Sequence, residues 1–178
     1  MIEAKHIIIG LFLFFLLAGA AAGKENDIDL TKGEKIVALT ILGEARGEGR
    51  SGMYAVACVI EKRIQESTVK HTAAEVCLQS WQFSVWNAGK GKVKKESQLH
   101  YLWESKSKDY AILLARIVCD KDKDLQHSYV RNANHYYAMD LKPPPSWTVD
   151  PKTKLLIRPV SKHGKHLFYK VPWASNRK

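Results

Sequence analysis

The stretch LGEARGEGRSGMYAVACVIEKRI, residues 42–64, decides the fold, because it contains the end of one helix, a turn and the start of another helix. Upstream of it, Thr31 and Glu34 have the spacing of a capping box, and the apolar run IVALTIL follows. This pattern predicts a helix over residues 32–46. Three glycines then interrupt the pattern, as glycine clusters do at turns. Apolar residues at helical spacing resume, which predicts a second helix over residues 52–65.

Downstream of these two helices, the sequence predicts further helical segments joined by loops. Thr72 and Glu75 form a second capping box that opens a short helix. The stretch WQFSVWNAGKGKVKK, residues 81–95, has no period, which predicts a structured loop. The additional predicted helices are residues 72–78, 97–105 and 108–119.

In the last third of the chain the helical period ends and strand signals begin. Residues 134–139 are aromatic, and residues 155–160 and 166–169 alternate like strands, with a His-Gly pair between them as the hairpin turn. Three consecutive prolines, residues 143–145, cannot continue a helix or a central strand. We therefore expect an α+β fold, with a helical body and a small β-hairpin region toward the C-terminus.

The first residues of the chain have the order of a secretory signal peptide. Lys5 precedes the apolar run IIIGLFLFFLL, and small residues follow it. This run is shorter than the roughly 20 residues of a transmembrane helix, and an uncleaved membrane anchor is the alternative. We expect residues 1–22 to direct export to the periplasm, cell wall or extracellular space. Residues 23–30 are expected to form a flexible lead-in, and residues 31–178 a single domain.

The charge of the chain predicts an anionic partner. The net charge is +10, so nucleic acid, a membrane surface and the anionic polymers of a cell wall all qualify. An export signal makes nucleic acid the least natural of these, and a membrane contact is expected only through an uncleaved signal. A basic loop, either a solvated face or a contact to anionic wall polymer, consists of Lys90, Lys92, Lys94, Lys95 and His100.

The cysteines and the paired histidines give little sign of special chemistry. Cys58, Cys77 and Cys119 are an odd number, so one thiol is left over if the other two pair. Cys58 and Cys119 lie in apolar helical runs, which favours small buried hydrophobes over nucleophiles. His163 and His166 lie near a glycine, but no second pair at zinc spacing exists. We expect neither a metal nor a cofactor.

Glu44 is the first candidate for catalysis. It lies where an apolar helix meets glycine-rich backbone, within the hexamer GEARGE, and Glu48 follows one helical turn later. Partial desolvation at such a place disfavours a carboxylate relative to its protonated form. A carboxyl group that keeps its proton near neutral pH can act as general acid on a glycosidic oxygen. The alternative is that both glutamates are solvated carboxylates that flank Arg46.

Three blocks of sequence resemble a known family. They are residues 42–64, the later WQFSVWN, and HYYAMDLKPPPSW followed by RPVSKHGKHLFYK. In this order and spacing they resemble the cell wall hydrolase family typified by the spore-cortex-lytic enzyme SleB, over nearly the whole domain. The resemblance implies a lysozyme-like α+β domain that cleaves peptidoglycan between N-acetylmuramic acid and N-acetylglucosamine. Many members of the family act as lytic transglycosylases.

The resemblance also implies that Glu44, the first glutamate of GEARGE, is the catalytic residue. As acid it would protonate the leaving glycosidic oxygen, and as base it would deprotonate the C6 hydroxyl of the muramic sugar, which closes a 1,6-anhydro ring. A hydrolase would instead use water and a second carboxylate, for which Glu48, Asp109 and Asp140 are the candidates. The alternative function is a catalytically silent peptidoglycan-binding module of the same fold. In either case we expect a monomer whose partner is the glycan strand.

Other residues are expected to contact the substrate, because sugar sites combine aromatic faces with amide and hydroxyl groups. From the resemblance, residues 135–137 should wall the cleft opposite Glu44. Aromatic residues such as Trp81, Phe83 and Trp86 also suit a place that caps the core. The expected contacts are Glu48, Gln82, Phe83, Ser84, Trp86, Asn87, His135, Tyr136, Tyr137 and Trp147.

Overall fold

The structure, a computed structural model, describes residues 29–172. The predicted signal, residues 1–22, and most of the predicted lead-in lie outside this range. At its start Leu30 is buried and packs into the hydrophobic core. Within the described range no helix is long and apolar enough to cross a membrane.

Four α-helices and three short strands follow one another within residues 29–172. The helices are α1 (Lys32–Ala45), α2 (Gly49–Glu66), α3 (Ala73–Leu78) and α4 (Lys108–Cys119). The strands are β1 (His135–Ala138), β2 (Ser161–His163) and β3 (His166–Tyr169). Single 3-10 segments cover Arg46–Glu48, Ser84–Trp86, Glu96–Glu104, His127–Val130 and Ser146–Thr148. The predicted α+β class is confirmed.

Both predicted capping boxes are present and fix the starts of α1 and α3. The Thr31 hydroxyl accepts from the Glu34 backbone N–H at 3.2 Å, and the Glu34 carboxylate accepts from the Thr31 N–H at 2.7 Å. Thr72 and Glu75 repeat the arrangement at the same distances. Each box satisfies backbone donors that the first helical turn leaves unpaired. Helix α2 begins at Gly49, three residues earlier than predicted.

Helix α1 lies at the centre of the core. Its residues from Ile36 to Leu42 are all buried, including Thr40, so the helix is covered on every side, as an apolar helix without a polar face requires. The Thr40 hydroxyl donates to the Ile36 carbonyl at 2.7 Å and accepts from Trp86 Nε1 at 2.8 Å. Both buried polar groups are therefore satisfied.

The sheet is antiparallel, with the strand order β1-β3-β2. The prediction of a strand over residues 155–160 is wrong, because pairing with β3 begins only where the Val160 N–H donates to the Phe168 carbonyl at 2.7 Å. Pro159 has no N–H to donate to a ladder. Within the predicted strand, Leu156 forms only an isolated bridge with Val149. The hairpin turn after His163 is present and joins β2 to β3.

The three cysteines are all unpaired thiols. Burial raises the pKa of Cys58 and of Cys77 to about 12, and that of Cys119 to about 11. Thiols with such pKa values carry almost no thiolate near neutral pH. The prediction that Cys58 and Cys119 are small hydrophobic side chains agrees with their placement: Cys58 is fully buried and Cys119 partly buried.

Candidate active site

The site begins where the end of α1 meets the Ser84–Trp86 turn. Gly43 lies against the Val85 side chain, and a Cβ at Gly43 would overlap it. The absence of a side chain at Gly43 therefore lets the turn approach the helix directly. This close approach brings backbone and hydroxyl donors of the turn to Glu44, the next residue of α1.

The Glu44 carboxyl group is partly buried, and both of its oxygens accept hydrogen bonds. Oε1 accepts from the Ser84 hydroxyl at 2.9 Å and from the Val85 backbone N–H at 2.7 Å. Oε2 accepts from the Tyr136 hydroxyl at 3.0 Å. The side chain is thus fixed from two directions, by the turn after α3 and by β1.

The Tyr136 side chain stays protonated at this site. Burial, followed by the nearby negative charge of Glu44, raises the pKa of Tyr136 well above its usual value, so the phenol does not ionise near neutral pH. Its ring packs 5.2 Å from His166 and 5.5 Å from Phe168, centroid to centroid. The hydroxyl is therefore held against Glu44 by the sheet.

Arg63 of α2 supports both sides of the site, and it was not among the predicted site residues. Its Nε donates to the Asn134 carbonyl at 2.8 Å and its Nη1 to the Gln82 carbonyl at 3.3 Å. The guanidinium lies 4.8 Å from the centroid of the Phe83 ring. Burial lowers its pKa, while Tyr136, Cys77 and Glu44 act in the opposite direction. The available signal was a charge on the apolar face of a helix, because Arg63 follows Val56 and Ile60 at helical spacing.

Glu44 lies in a cleft of about 770 Å³, within the range of ligand sites in proteins. Of the predicted site residues, the cleft is lined by Glu44, Gln82, Ser84, Asn87, His135, Tyr136, Tyr137 and Trp147. The residues that line it without having been predicted are Gly43, Arg63, Ser80, Trp81, Ala138, Leu141, Pro145 and His166. Asp140, a candidate second carboxylate, also lines the cleft, whereas Asp109 is exposed at the start of α4.

Three predicted substrate contacts lie elsewhere. Phe83 is 1% exposed and Trp86 is 2% exposed, and both belong to the hydrophobic core. Their aromatic character serves packing, the alternative that the sequence left open. Glu48 is outside the cleft, where its carboxylate accepts from the Lys165 backbone N–H at 2.6 Å.

Glu48 connects the start of α2 to the β2-β3 hairpin. Gly164 has φ +57°, and a Cβ there would overlap the Glu48 carboxylate. A Cβ at Gly52 would overlap the Glu48 side chain from the other direction. Two glycines thus make room for this side chain, which fixes the hairpin turn to the helical body.

One part of the cleft lining is a cluster of aromatic rings. Tyr137 stacks on Tyr169 with centroids 5.5 Å apart, and Trp147 lies 5.3 Å from Tyr169 and 5.9 Å from Tyr137. The His135 ring is 4.9 Å from that of Trp147. This cluster joins the loop after the prolines to the sheet, so the loop is positioned by ring packing.

The two histidines near the hairpin have separate environments. The His163 ring stacks on Tyr129 with centroids 4.3 Å apart. His166 is buried and lines the cleft, and burial lowers its pKa, opposed by Glu48, Glu44 and Asp140. Within residues 29–172 there is no group of three or more His, Cys, Asp or Glu side chains that could bind a metal ion.

Known proteins resemble this chain in sequence and in fold. The catalytic domain of the germination-specific lytic transglycosylase SleB from Bacillus anthracis superimposes with a TM-score of 0.51 at 22% identity, covering 80% of this chain and 98% of that one. The catalytic domain of the Bacillus cereus SleB protein gives a TM-score of 0.50 at 22% identity, covering 80% and 94%. At this identity the likeness shows a common fold, which confirms the lysozyme-like architecture. No curated protein sequence gives a significant match.

A sequence model of the family described as Cell Wall Hydrolase matches residues 47–169, which is more than half of the chain. The match begins just after Glu44 and includes both walls of the cleft. The chain therefore belongs to the cell wall hydrolase family.

Proposed function

We propose that this protein cleaves the glycan strands of peptidoglycan between N-acetylmuramic acid and N-acetylglucosamine, as a lytic transglycosylase with Glu44 as general acid and base. The observation that carries the proposal is the Glu44 carboxyl group, fixed on both oxygens at the edge of a large cleft. A fixed, partly buried acid beside a trough is what proton transfer to a bound glycosidic oxygen requires.

The two oxygens of Glu44 have different surroundings, which suggests different roles. Oε1 accepts from Ser84 and Val85, so it is the carbonyl-like oxygen of the protonated acid. Oε2 is shared with the Tyr136 hydroxyl, and a hydroxyl can accept as well as donate. We assign the transferable proton to Oε2. Tyr136 is then a positioning residue that holds the acid in both protonation states.

The reaction then takes two steps. In the first, Glu44 donates its proton to the glycosidic oxygen as the bond to the muramic anomeric carbon breaks. In the second, the Glu44 carboxylate removes the proton of the C6 hydroxyl, and that oxygen bonds to the anomeric carbon. The acid is restored, and the product has a 1,6-anhydro ring. Positioning one group for both transfers supplies the general acid and base catalysis.

Hydrolysis by a second carboxylate is the competing chemistry, and Asp140 is the group that could provide it. Asp140 is the other carboxylate that lines the cleft, and it is exposed in the turn that follows β1. A base there would activate water, and the product would have a reducing end. Mass spectrometry separates the two chemistries, because the anhydro product is one water lighter.

The test is digestion of purified sacculi by three proteins, the parent, Glu44→Gln and Asp140→Asn. Glutamine can still accept from Val85 and Ser84 but has no proton to donate as an acid, so we expect a loss of roughly 10²-fold or more in the rate. Asp140→Asn should release anhydro fragments at close to the parental rate. Circular dichroism and melting temperature establish that each variant is folded.

Each outcome decides between specific alternatives. Parental digestion by Glu44→Gln would refute the assignment of the acid. Reducing-end products that disappear in Asp140→Asn would replace transglycosylation with hydrolysis. If the parent binds sacculi but releases no fragments, the alternative function, a catalytically silent peptidoglycan-binding module, is supported.

Substrate contacts are proposed on both walls of the cleft. Gln82 and Asn87 provide amide groups in the cleft, and Tyr137, Trp147 and His135 provide aromatic surface there. Amides suit the N-acetyl and hydroxyl groups of the sugars, and aromatic faces suit their C–H faces. No metal or cofactor takes part in this proposal.

The basic loop is proposed to hold the exported protein on anionic wall polymer. Lys90 and Lys92 are exposed on a small hairpin whose Ala88 N–H donates to the Lys92 carbonyl at 2.9 Å. Asn87, at the base of this hairpin, lines the cleft, so the lysines project beside the glycan site. Binding to isolated walls should weaken as salt rises from 50 to about 500 mM, because added ions screen exposed charges. Salt-independent binding in a pull-down would contradict this role.

A further inference from the structure

Trp81 differs from the other aromatic residues of its segment. Phe83 and Trp86, two and five residues later, are buried in the core, whereas Trp81 is 68% exposed. The exposed side chain lines the same cleft as Glu44. Because so little of the indole is buried within the protein, packing does not explain a tryptophan at this position.

The backbone conformation at Trp81 is a second reason to expect a functional role for this residue. Its φ is +68°, in the left-handed region that favours glycine and disfavours bulky side chains. The turn is fixed by neighbours, since the Gln82 N–H donates to the Gln79 carbonyl at 3.1 Å and the Ser80 hydroxyl donates to the Gly91 carbonyl at 3.3 Å. A strained and exposed aromatic residue that is held in place at a cleft indicates a functional contact.

Polar groups beside Trp81 complete the features of a sugar site. Ser80, Gln82 and Asn87 line the cleft on the same wall. Hydroxyl and amide groups of these types can donate to and accept from the N-acetyl and hydroxyl groups of a sugar. An indole face next to them offers an apolar surface for the C–H face of a pyranose ring.

We propose that Trp81 is the stacking platform of an outer glycan subsite, which binds a sugar ring of the strand at a distance from the bond that is cut. The Cα atoms of Trp81 and Ser84, a donor to Glu44, are at most about 10 Å apart, so a strand whose cut bond lies at Glu44 can also reach the indole. This inference rests on the proposed function, because it takes the occupant of the cleft to be a glycan.

The consequence is a dependence on strand length. A fragment long enough to reach from Glu44 to Trp81 gains the stacking contact, and a shorter fragment does not. Loss of the indole should therefore weaken the binding of long strands and leave the binding of a disaccharide unchanged. A purely structural role for Trp81 would affect both lengths alike.

The experiment measures binding of purified, uncross-linked glycan strands and of the disaccharide to the Glu44→Gln protein, which should cleave strands roughly 10²-fold or more slowly than the parent. In this background we compare Trp81→Gly, Trp81→Ala and Trp81→Phe. Glycine relieves the left-handed strain, so Trp81→Gly should melt at or above the temperature of its parent while its Kd for long strands rises roughly 3- to 10-fold. Trp81→Ala should lose the same affinity, and Trp81→Phe should retain most of it.

The outcomes keep this inference separate from the proposed function. Unchanged affinity of Trp81→Gly for long strands, or no binding of strands by Glu44→Gln, would overturn the subsite. Tryptophan-dependent binding supports the subsite even if the parent releases no fragments from sacculi, a result that would reject only the catalytic proposal. Digestion that depends on Glu44 but not on Trp81 would reject only the subsite.

Discussion

Glu44 lies in the last turn of α1 and Glu48 in the 3-10 segment that follows, yet the two carboxylates of the GEARGE motif have different neighbours. Glu44 faces the cleft and accepts from Ser84, Val85 and Tyr136. Glu48 does not line it and accepts from the backbone of the β2-β3 hairpin turn. Two acids one helical turn apart thus belong to two regions, one at the cleft that we propose for catalysis and one that fixes the hairpin.

The difference between them arises from the glycines around each acid. Gly43 gives the Ser84–Trp86 turn access to the end of α1, and Gly52 and Gly164 give the Glu48 side chain access to the hairpin. The spacing of the motif is therefore dictated by close approaches of backbone as much as by the acids themselves. The neighbours of each glutamate in this motif, rather than its position in the sequence, indicate its role.

The largest expected effect comes from changing each acid to its amide. Glu44→Gln should lower the rate of sacculus digestion by roughly 10²-fold or more. Glu48→Gln should leave the rate within about twofold, because the amide oxygen can still accept from the Lys165 N–H. Release of soluble muropeptides measures both. Equal losses in the two variants would remove the distinction between the regions.

The next effect concerns the approach of the turn to α1. Gly43→Ala places a methyl group against Val85, which should cost about 1–3 kcal/mol of unfolding free energy and shift the donors to Glu44. Gly47→Ala is the matched control, since a Cβ there meets nothing within 4 Å. Urea denaturation compares the two variants. If Gly43→Ala is as stable as Gly47→Ala, close approach does not explain the glycine.

The smallest effect tests the structural role of Glu48. Glu48→Ala removes the acceptor of the Lys165 N–H and should reduce the free energy of unfolding by about 1 kcal/mol, the usual size for one hydrogen bond. The loss should appear as faster hydrogen exchange in the hairpin, whereas exchange in α1 stays at the parental rate. If Glu48→Ala lowers the rate of sacculus digestion although the protein remains folded under the assay conditions, Glu48 contributes to the chemistry.

Sequence patterns correctly predicted the features that depend on interactions between residues close together in the chain. The helix from Lys32 and the capping boxes at Thr31 and Thr72 were predictable, because the interacting residues are three apart in the sequence. Glu44 was predicted as the acid by resemblance and by its place at the end of an apolar helix. Its neighbours were foreseen only as residue types near a sugar site, not as specific hydrogen-bond donors.

Features that depend on long-range contacts could not be predicted from sequence patterns. Arg63 bridges Asn134 and Gln82, which are far from it along the chain. In the sequence, Trp81 is an aromatic residue of the same segment as Phe83 and Trp86. Only the turn geometry distinguishes its exposed ring from their buried ones. The alternation of residues 155–160 resembled a strand, but a strand also needs a partner edge, and no pattern within one segment reports that.

The donors to Glu44 lie 40, 41 and 92 residues further along the chain. The unfolded polypeptide therefore contains the glutamate without the surroundings that fix it, and so does any proteolytic fragment that ends before β1. If the acid works as proposed, the cell that makes this protein carries no competent enzyme until synthesis has passed Tyr136 and the domain has closed. On the same proposal, incomplete or degraded copies would leave the producer's own envelope intact.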